Sequence, residues 1–267
     1  MLAHLLIPLL LPQPVFTADF SEPDAHRRFD RTHHAQNGSV VSDPLDDGNR
    51  VFRIAVNKDD HYGGAFSIHL AEHLEHEPVA LYFRYRIWID ESWTTTTGGK
   101  LPGFGGTYNT AGWGGKPSDG TNGWSARGLY AGIDADGNIP IGSYIYHADM
   151  IENGQTYGNS ERWGVALEHS RWYTIEQEIR LNTLVTVDGE TSGNADGTLR
   201  AWVDGELVFD RGGLHLRDTD ELRIETVWFN IYHGGKTPAP SDMHLLIDDI
   251  LIAPERAEPE PAPPGTD

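Results

Sequence analysis

Cysteine is absent from the 267 residues, which excludes a disulfide framework and any thiolate metal site and leaves the redox compartment unread. Cations are scarce: 20 Lys and Arg stand against 40 Asp and Glu, a net charge of −20. Bulk attraction to nucleic acid or to an anionic lipid surface is therefore disfavoured. Long hydrophobic runs are missing too. MLAHLLIPLLLPQ at the start is apolar but broken by prolines, has no basic region before it, and is too short for a membrane span. It reads either as an atypical secretion signal or as an ordinary extension. The 13 histidines form no HxH or HExxH pattern, so a transition-metal site is not expected.

What is present is strand signal. VFTADF, RVFRIAV, AFSIHL, VALYFRYRIWI, WSARGLYAGI, IGSYIYH, WYTIEQEIRL, GTLRAWVDGELVF, LRIETVWFNIYH and MHLLIDDILIA alternate or are rich in β-branched and aromatic residues. Asp136–Gly137, Asp196–Gly197 and Asp204–Gly205 supply turns. AEHLEHE is the one helical candidate. The pattern predicts an all-β chain: a two-sheet antiparallel β-sandwich of the β-jelly-roll type, concanavalin- or laminin-G-like. Residues 1–13 form the extension or signal remnant, 14–254 the folded domain, and 255–267 a Pro/Glu-rich disordered tail. Ten of the 30 glycines fall between Gly98 and Gly123. That density predicts a long loop rather than a core strand, packed down by Phe104, Tyr108, Trp113 and Trp124.

Charge is unevenly spread. Between Ser92 and Ile133 the only acid is Asp119, against Lys100, Lys116 and Arg127. This basic island in an acidic chain suits an acidic ligand. On strands, Ser125 and Arg127 would share one face, and so would Tyr144 and Tyr146, so that two cations, a hydroxyl and two phenols could line one surface. Lys100, Ser125, Arg127, Tyr144 and Tyr146 then form the candidate catalytic set. Cleaving a uronic-acid polymer by β-elimination needs a cation to neutralise the C6 carboxylate, a base for the C5 proton and an acid for the C4 oxygen. Nearby cations should lower the phenols' pKa values and make either tyrosine a usable base. His147 is a rival base, although it should face away from Tyr146. Candidate substrate-binding residues are Arg84 and Arg86, which share parity with Tyr82 and Trp88, together with Tyr108, Trp113, His147, Asn230, Tyr232 and Lys236. Asp248 and Asp249 read as structural, either at a strand edge or as ligands of a structural calcium with oxygens of the N-terminal strand. No cofactor is otherwise required.

GGKLPGFGG, WSARG and the YIY of SYIYH, followed by WYTIEQEIRLN, DGTLRAWVDGELVF, YHGG and IDDILIA, resemble polysaccharide lyase family 14, the alginate and glucuronan lyase group with a jelly-roll fold. The resemblance runs from Val15 to Ala253. It implies a lyase that cleaves alginate or polyglucuronate by β-elimination, leaving a 4,5-unsaturated non-reducing end. Carried over by motif, the family's cleft lysine is Lys100, its Ser/Arg pair is Ser125 and Arg127, and its tyrosine pair is Tyr144 and Tyr146. An anionic polysaccharide partner, a monomer, a secreted or periplasmic location, and no nucleic-acid or membrane partner follow as expectations. Two other readings remain: a non-catalytic carbohydrate-binding module, and a jelly-roll glycoside hydrolase. The latter needs two carboxylates on one face, and the ExDxxE strand motif is missing.

Overall fold

Alternation decides which way each strand faces, and among the described residues two eight-stranded antiparallel sheets result, beside a separate hairpin of Leu184–Val187 and Glu190–Gly193. The computed structural model describes residues 13–22 and 25–257, so residues 1–12 of the extension and 258–267 of the tail lie outside it. The outer sheet runs in the order Glu206–Leu214, Gly197–Val203, Trp172–Arg180, Ala80–Ile89, Met243–Ala253, Arg50–Val56, Gly38–Ser42, with Phe16–Ala18 also paired to Met243–Ala253. The inner sheet runs Asn159–Leu167, Ile139–Tyr146, Trp124–Tyr130, Gly99–Gly106, Thr226–Trp228, Ala65–His69, Arg31–His33, with Tyr232–His233 also paired to Gly99–Gly106. Strands far apart in sequence lie side by side, as a sandwich with crossed connections requires. Among the described residues there is no α-helix, only short 3-10 turns. AEHLEHE contributes no more than the end of one, Leu70–Glu72.

The core lies between the sheets. Phe83, Tyr85, Ile87 and Ile89 from the outer sheet meet Phe104, Ala126, Ile141 and Ile145 from the inner one. Each inner strand thereby leaves its alternate residues on the far face, which holds the cleft. Two of the three Asp-Gly pairs turn as expected: Gly137 and Gly205 both have positive φ. Asp196–Gly197 instead leads into a strand. Asp188–Gly189 closes a hairpin with both residues at positive φ, the type I′ signature.

The largest departure from expectation is Gly99–Gly106. GKLPGFGG is a central, buried strand of the inner sheet, not part of a loop. A Cβ on Gly103 would lie 2.4 Å from the Arg127 Cα, and one on Gly106 would lie 2.4 Å from the Trp124 indole nitrogen. These glycines make room for a neighbouring backbone and a stacked indole. Pro102 is tolerated because the register shifts between Leu101 and Gly103, a bulge that needs no amide donor there. The loop proper is 107–123. Among the described residues, no helix is long and apolar enough to cross a membrane.

Candidate active site

Register brings the candidate residues together. Tyr146 lies opposite Ser125, and Tyr144 opposite Arg127; Arg127 lies opposite Gly103 on its other side. Gly103 has no side chain where the Arg127 backbone passes, so the two strands pair closely, and Lys100 and Arg127 both border the cleft. A cleft of about 620 Å³ results, lined by all five candidate catalytic residues and by Trp113, Asn230 and Tyr232 among others. Among the described residues, no carboxylate and no histidine lines it. In a chain of net charge −20, two cations therefore face an acid-free cavity.

Their surroundings tune them. Lys100 Nζ lies 3.0 Å from the centroid of the Tyr144 ring. Burial, helped by the Arg127 guanidinium, pulls the Lys100 ammonium down to about 7. Arg127 donates from Nη2 to the Asn230 carbonyl at 2.7 Å, and its guanidinium lies 5.3 Å from the Trp228 ring centroid. Burial lowers it to about 10, which still leaves it charged at neutral pH. Its Nε and the Asn230 Oδ1 are both buried without a hydrogen-bond partner. Unsatisfied polar groups lining a cleft point to a ligand that would satisfy them.

The phenols behave otherwise than expected. Their rings meet edge to face at 5.5 Å. Burial raises the Tyr144 pKa, with the neighbouring Tyr146 hydroxyl opposing in part. Burial raises Tyr146 further, and the Tyr144 charge adds to it. The Tyr146 hydroxyl is buried with no aligned partner. Desolvation thus outweighs the cations, and both phenols stay protonated near neutrality. Ser125 is 1% exposed and donates to the Gly112 carbonyl at 2.6 Å, so its hydroxyl fastens the glycine-rich loop to the cleft floor.

Several expected substrate-binding residues lie elsewhere. Arg84 and Arg86 do share parity with Tyr82 and Trp88, while Phe83, Tyr85, Ile87 and Ile89 enter the core. Their strand belongs to the outer sheet, however, so that face points away from the cleft. Arg86 lies over the Trp172 ring at 4.6 Å and pairs with Asp249 at 3.4 Å. Tyr108 donates its hydroxyl to Glu77 on the loop's outer side. His147 accepts from the Asn159 amide through Nε2 and pairs with Asp149, facing away from the cleft as its parity with Tyr146 requires. Neither Tyr108, His147 nor Lys236 lines the cleft. The lining includes Tyr62, Tyr157, Ser160 and Trp228, which the sequence reading missed. The parity that singled out Asn230 and Tyr232 also contains Trp228; Tyr62 forms an isolated antiparallel bridge to Tyr232 outside any strand and carries no periodic signal.

Asp248 and Asp249 diverge. Asp248 is 2% exposed and accepts from Asn49 at 3.0 Å, whereas Asp249 turns outward at positive φ. Among the described residues, no group of three or more His, Asp or Glu side chains is arranged to hold a metal ion.

The family model of polysaccharide lyase 14 matches residues 51–245. The chain belongs to polysaccharide lyase family 14. It is a polysaccharide lyase, and the matched span contains every residue of the Lys100, Arg127 and tyrosine cluster. No curated protein matches the family member's sequence. Among solved structures it is similar to the alginate lyase Aly36B, with 18% identity, a TM-score of 0.71 and coverage of 93% of this chain and 100% of that one. It is similar to the marine PL-14 alginate lyase from Aplysia kurodai, with 18% identity, a TM-score of 0.70 and coverage of 91% and 100%. The endo-beta-1,4-glucuronan lyase from the fungus Trichoderma reesei follows, with 12% identity, a TM-score of 0.62 and coverage of 91% and 96%. At these identities the likeness shows that the lyase shares their jelly-roll sandwich.

Proposed function

We propose that this lyase cleaves a polyuronate, alginate or polyglucuronate, by β-elimination in the Lys100–Arg127–Tyr146 cleft. The observation that carries the reading is the pairing of two cations with an acid-free cavity. Arg127 meets the C6 carboxylate, its unpartnered Nε supplying a donor, and lowers the barrier to forming the carbanion at C5. Lys100, whose amine is available near neutrality, takes the C5 proton. The electron pair of that C–H bond becomes the C4=C5 double bond, and the C4–O bond breaks. Tyr146, held protonated by burial, gives its proton to the departing oxygen. Tyr144 supports Lys100 from below, and Ser125 holds the loop that walls the cleft. Every step uses side chains of this chain, and on this reading the enzyme needs no cofactor and acts as a monomer. A polymeric substrate found outside cells suits a secreted or periplasmic enzyme.

Named relatives supply substrate candidates. Aly36B and the Aplysia kurodai enzyme are alginate lyases, a mutant of Aly36B is solved in complex with an alginate tetrasaccharide, and the Trichoderma reesei enzyme acts on glucuronan. The test is incubation with polymannuronate, polyguluronate and glucuronan while following ultraviolet absorbance of the new double bond. At least one polymer should give a rising signal. Reducing ends without absorbance would make the protein a hydrolase, and retention of polymer with neither signal would make it a binding module.

A further inference from the structure

The glycine-rich loop carries a cation that the chemistry above does not use. Lys116 is exposed, and its ammonium lies 4.8 Å from the centroid of the Trp113 ring, which itself borders the cleft. The two residues form a closed turn: the Lys116 amide donates to the Trp113 carbonyl at 2.9 Å, and the Gly112 amide to the Lys116 carbonyl at 3.0 Å. Ser125 Oγ holds the same turn to the cleft floor through the Gly112 carbonyl at 2.6 Å. The nearest acid in sequence, Asp119, is occupied with the Thr121 amide and hydroxyl. Lys116 therefore faces solvent without an ion-pair partner among the described residues, and the backbone turn that carries it is tied through Gly112 to Ser125, two residues from Arg127 on the same strand.

We infer that the Trp113–Lys116 turn is an outer uronate subsite, in which the indole packs on a sugar face and Lys116 pairs with the carboxylate of a residue beyond the one being cleaved. A polyuronate repeats its carboxylate on every sugar, so a cleft that reads the polymer needs a second cation outside the reacting pair. The fixed turn supplies one at low entropic cost. Ser125 is then a positioning residue: it touches no reacting atom and acts by setting where Trp113 and Lys116 stand. This subsite rests on the polyuronate reading given above.

Binding and turnover separate the two claims. Electrophoresis of the full chain through gels cast with alginate or glucuronan reads binding alone, and steady-state kinetics reads KM and kcat. Lys116→Gln should weaken retardation and raise KM for polymer about three- to fivefold, the size of one exposed charge contact, with kcat held. Lys116→Arg should restore both, and the salt dependence of KM should be shallower in Lys116→Gln than in the parent. Lys58→Gln, a change at an exposed lysine that does not line the cleft, controls for net charge and should leave retardation unchanged. Ser125→Ala should raise KM more than it lowers kcat. Unchanged retardation and KM in Lys116→Gln would overturn the subsite. Retardation of the parent by polymer, lost in Lys116→Gln, with no unsaturated product from any substrate would overturn the elimination reading and leave the subsite standing.

Discussion

Lys100 Nζ stands 3.0 Å from the centre of the Tyr144 ring, and the amine is the group in the cleft closest to losing its proton at neutral pH, near 7. As the base it must be neutral, so kcat/KM should rise with pH up to about 7 and level off above it. Lys100→Arg and Lys100→Ala should each lower kcat by about a thousandfold or more, the usual scale for general-base loss combined with lost charge stabilisation. A pH profile that falls through this range would assign the base elsewhere.

The same shift governs stability. Lys100 is held below its unfolded value of 10.5, so between about 7 and 10.5 the unfolded chain binds more protons and stability rises with pH. Below about 7 the folded state carries the full cost of a charged, desolvated amine. Lys100→Met should therefore be the more stable protein at pH 6, by up to a few kcal/mol, with the gap closing towards pH 10. Denaturant melts at the two pH values measure it.

Tyr146→Phe removes a hydroxyl that is buried without an aligned partner. Deleting an unsatisfied polar group costs nothing and relieves a desolvation penalty, so Tm should stay level or rise. If Tyr146 is the acid for the leaving oxygen, kcat should fall about a hundred- to ten-thousandfold while KM changes little. Loss of activity together with a lower Tm would mark a structural role.

The sandwich was legible because strand alternation survives in sequence: LYFRYRIWI separated its core residues from its outward ones correctly. Alternation says nothing about which sheet a strand joins, and this is why Arg84 and Arg86 were placed in a cleft that lies on the other sheet. Lys100, Ser125, Arg127, Tyr144 and Tyr146 border one cleft because the Ser/Arg and Tyr/Tyr pairs are spaced by two on strands that lie adjacent. Their electrostatics were not legible, since desolvation depends on burial that only the packed structure sets; the phenols moved up instead of down. Tyr62 was missed for want of any periodic context. The glycines of Gly99–Gly106 misled most, because composition marks both a loop and a strand stripped of side chains to admit its neighbours.

Asp248 tests the outer sheet. It is 2% exposed, and burial raises its carboxyl to about 6 from an unfolded value of 3.8. The folded state therefore binds more protons between those values, and stability is lost as pH rises through about 6. Asp248→Asn removes the buried charge and keeps a polar group for Asn49, which now donates to it at 3.0 Å. At pH 7.5 the variant should be the more stable by about 1–2 kcal/mol, and at pH 4.5 the advantage should shrink. Asp248 is remote from the cleft, so kcat should not change.

Gly103 is where fold and site meet. A Cβ there would lie 2.4 Å from the Arg127 Cα, 2.5 Å from the Ala126 carbonyl oxygen and 2.8 Å from the Gly128 amide nitrogen. All three are backbone atoms of the paired strand, so no rotamer change can relieve the clash, and the strands must part. Gly103→Ala should cost about 3 kcal/mol or more and displace Arg127 from the cleft, lowering activity beyond what the loss of folded protein explains. Gly212, in an outer-sheet strand, has nothing within 4 Å of a built Cβ. Gly212→Ala should therefore be within about 0.5 kcal/mol of the parent. If the two alanine variants melt together, the inner sheet is spaced more widely than this close strand pairing allows, and the Gly103 contact is not what sets the position of Arg127.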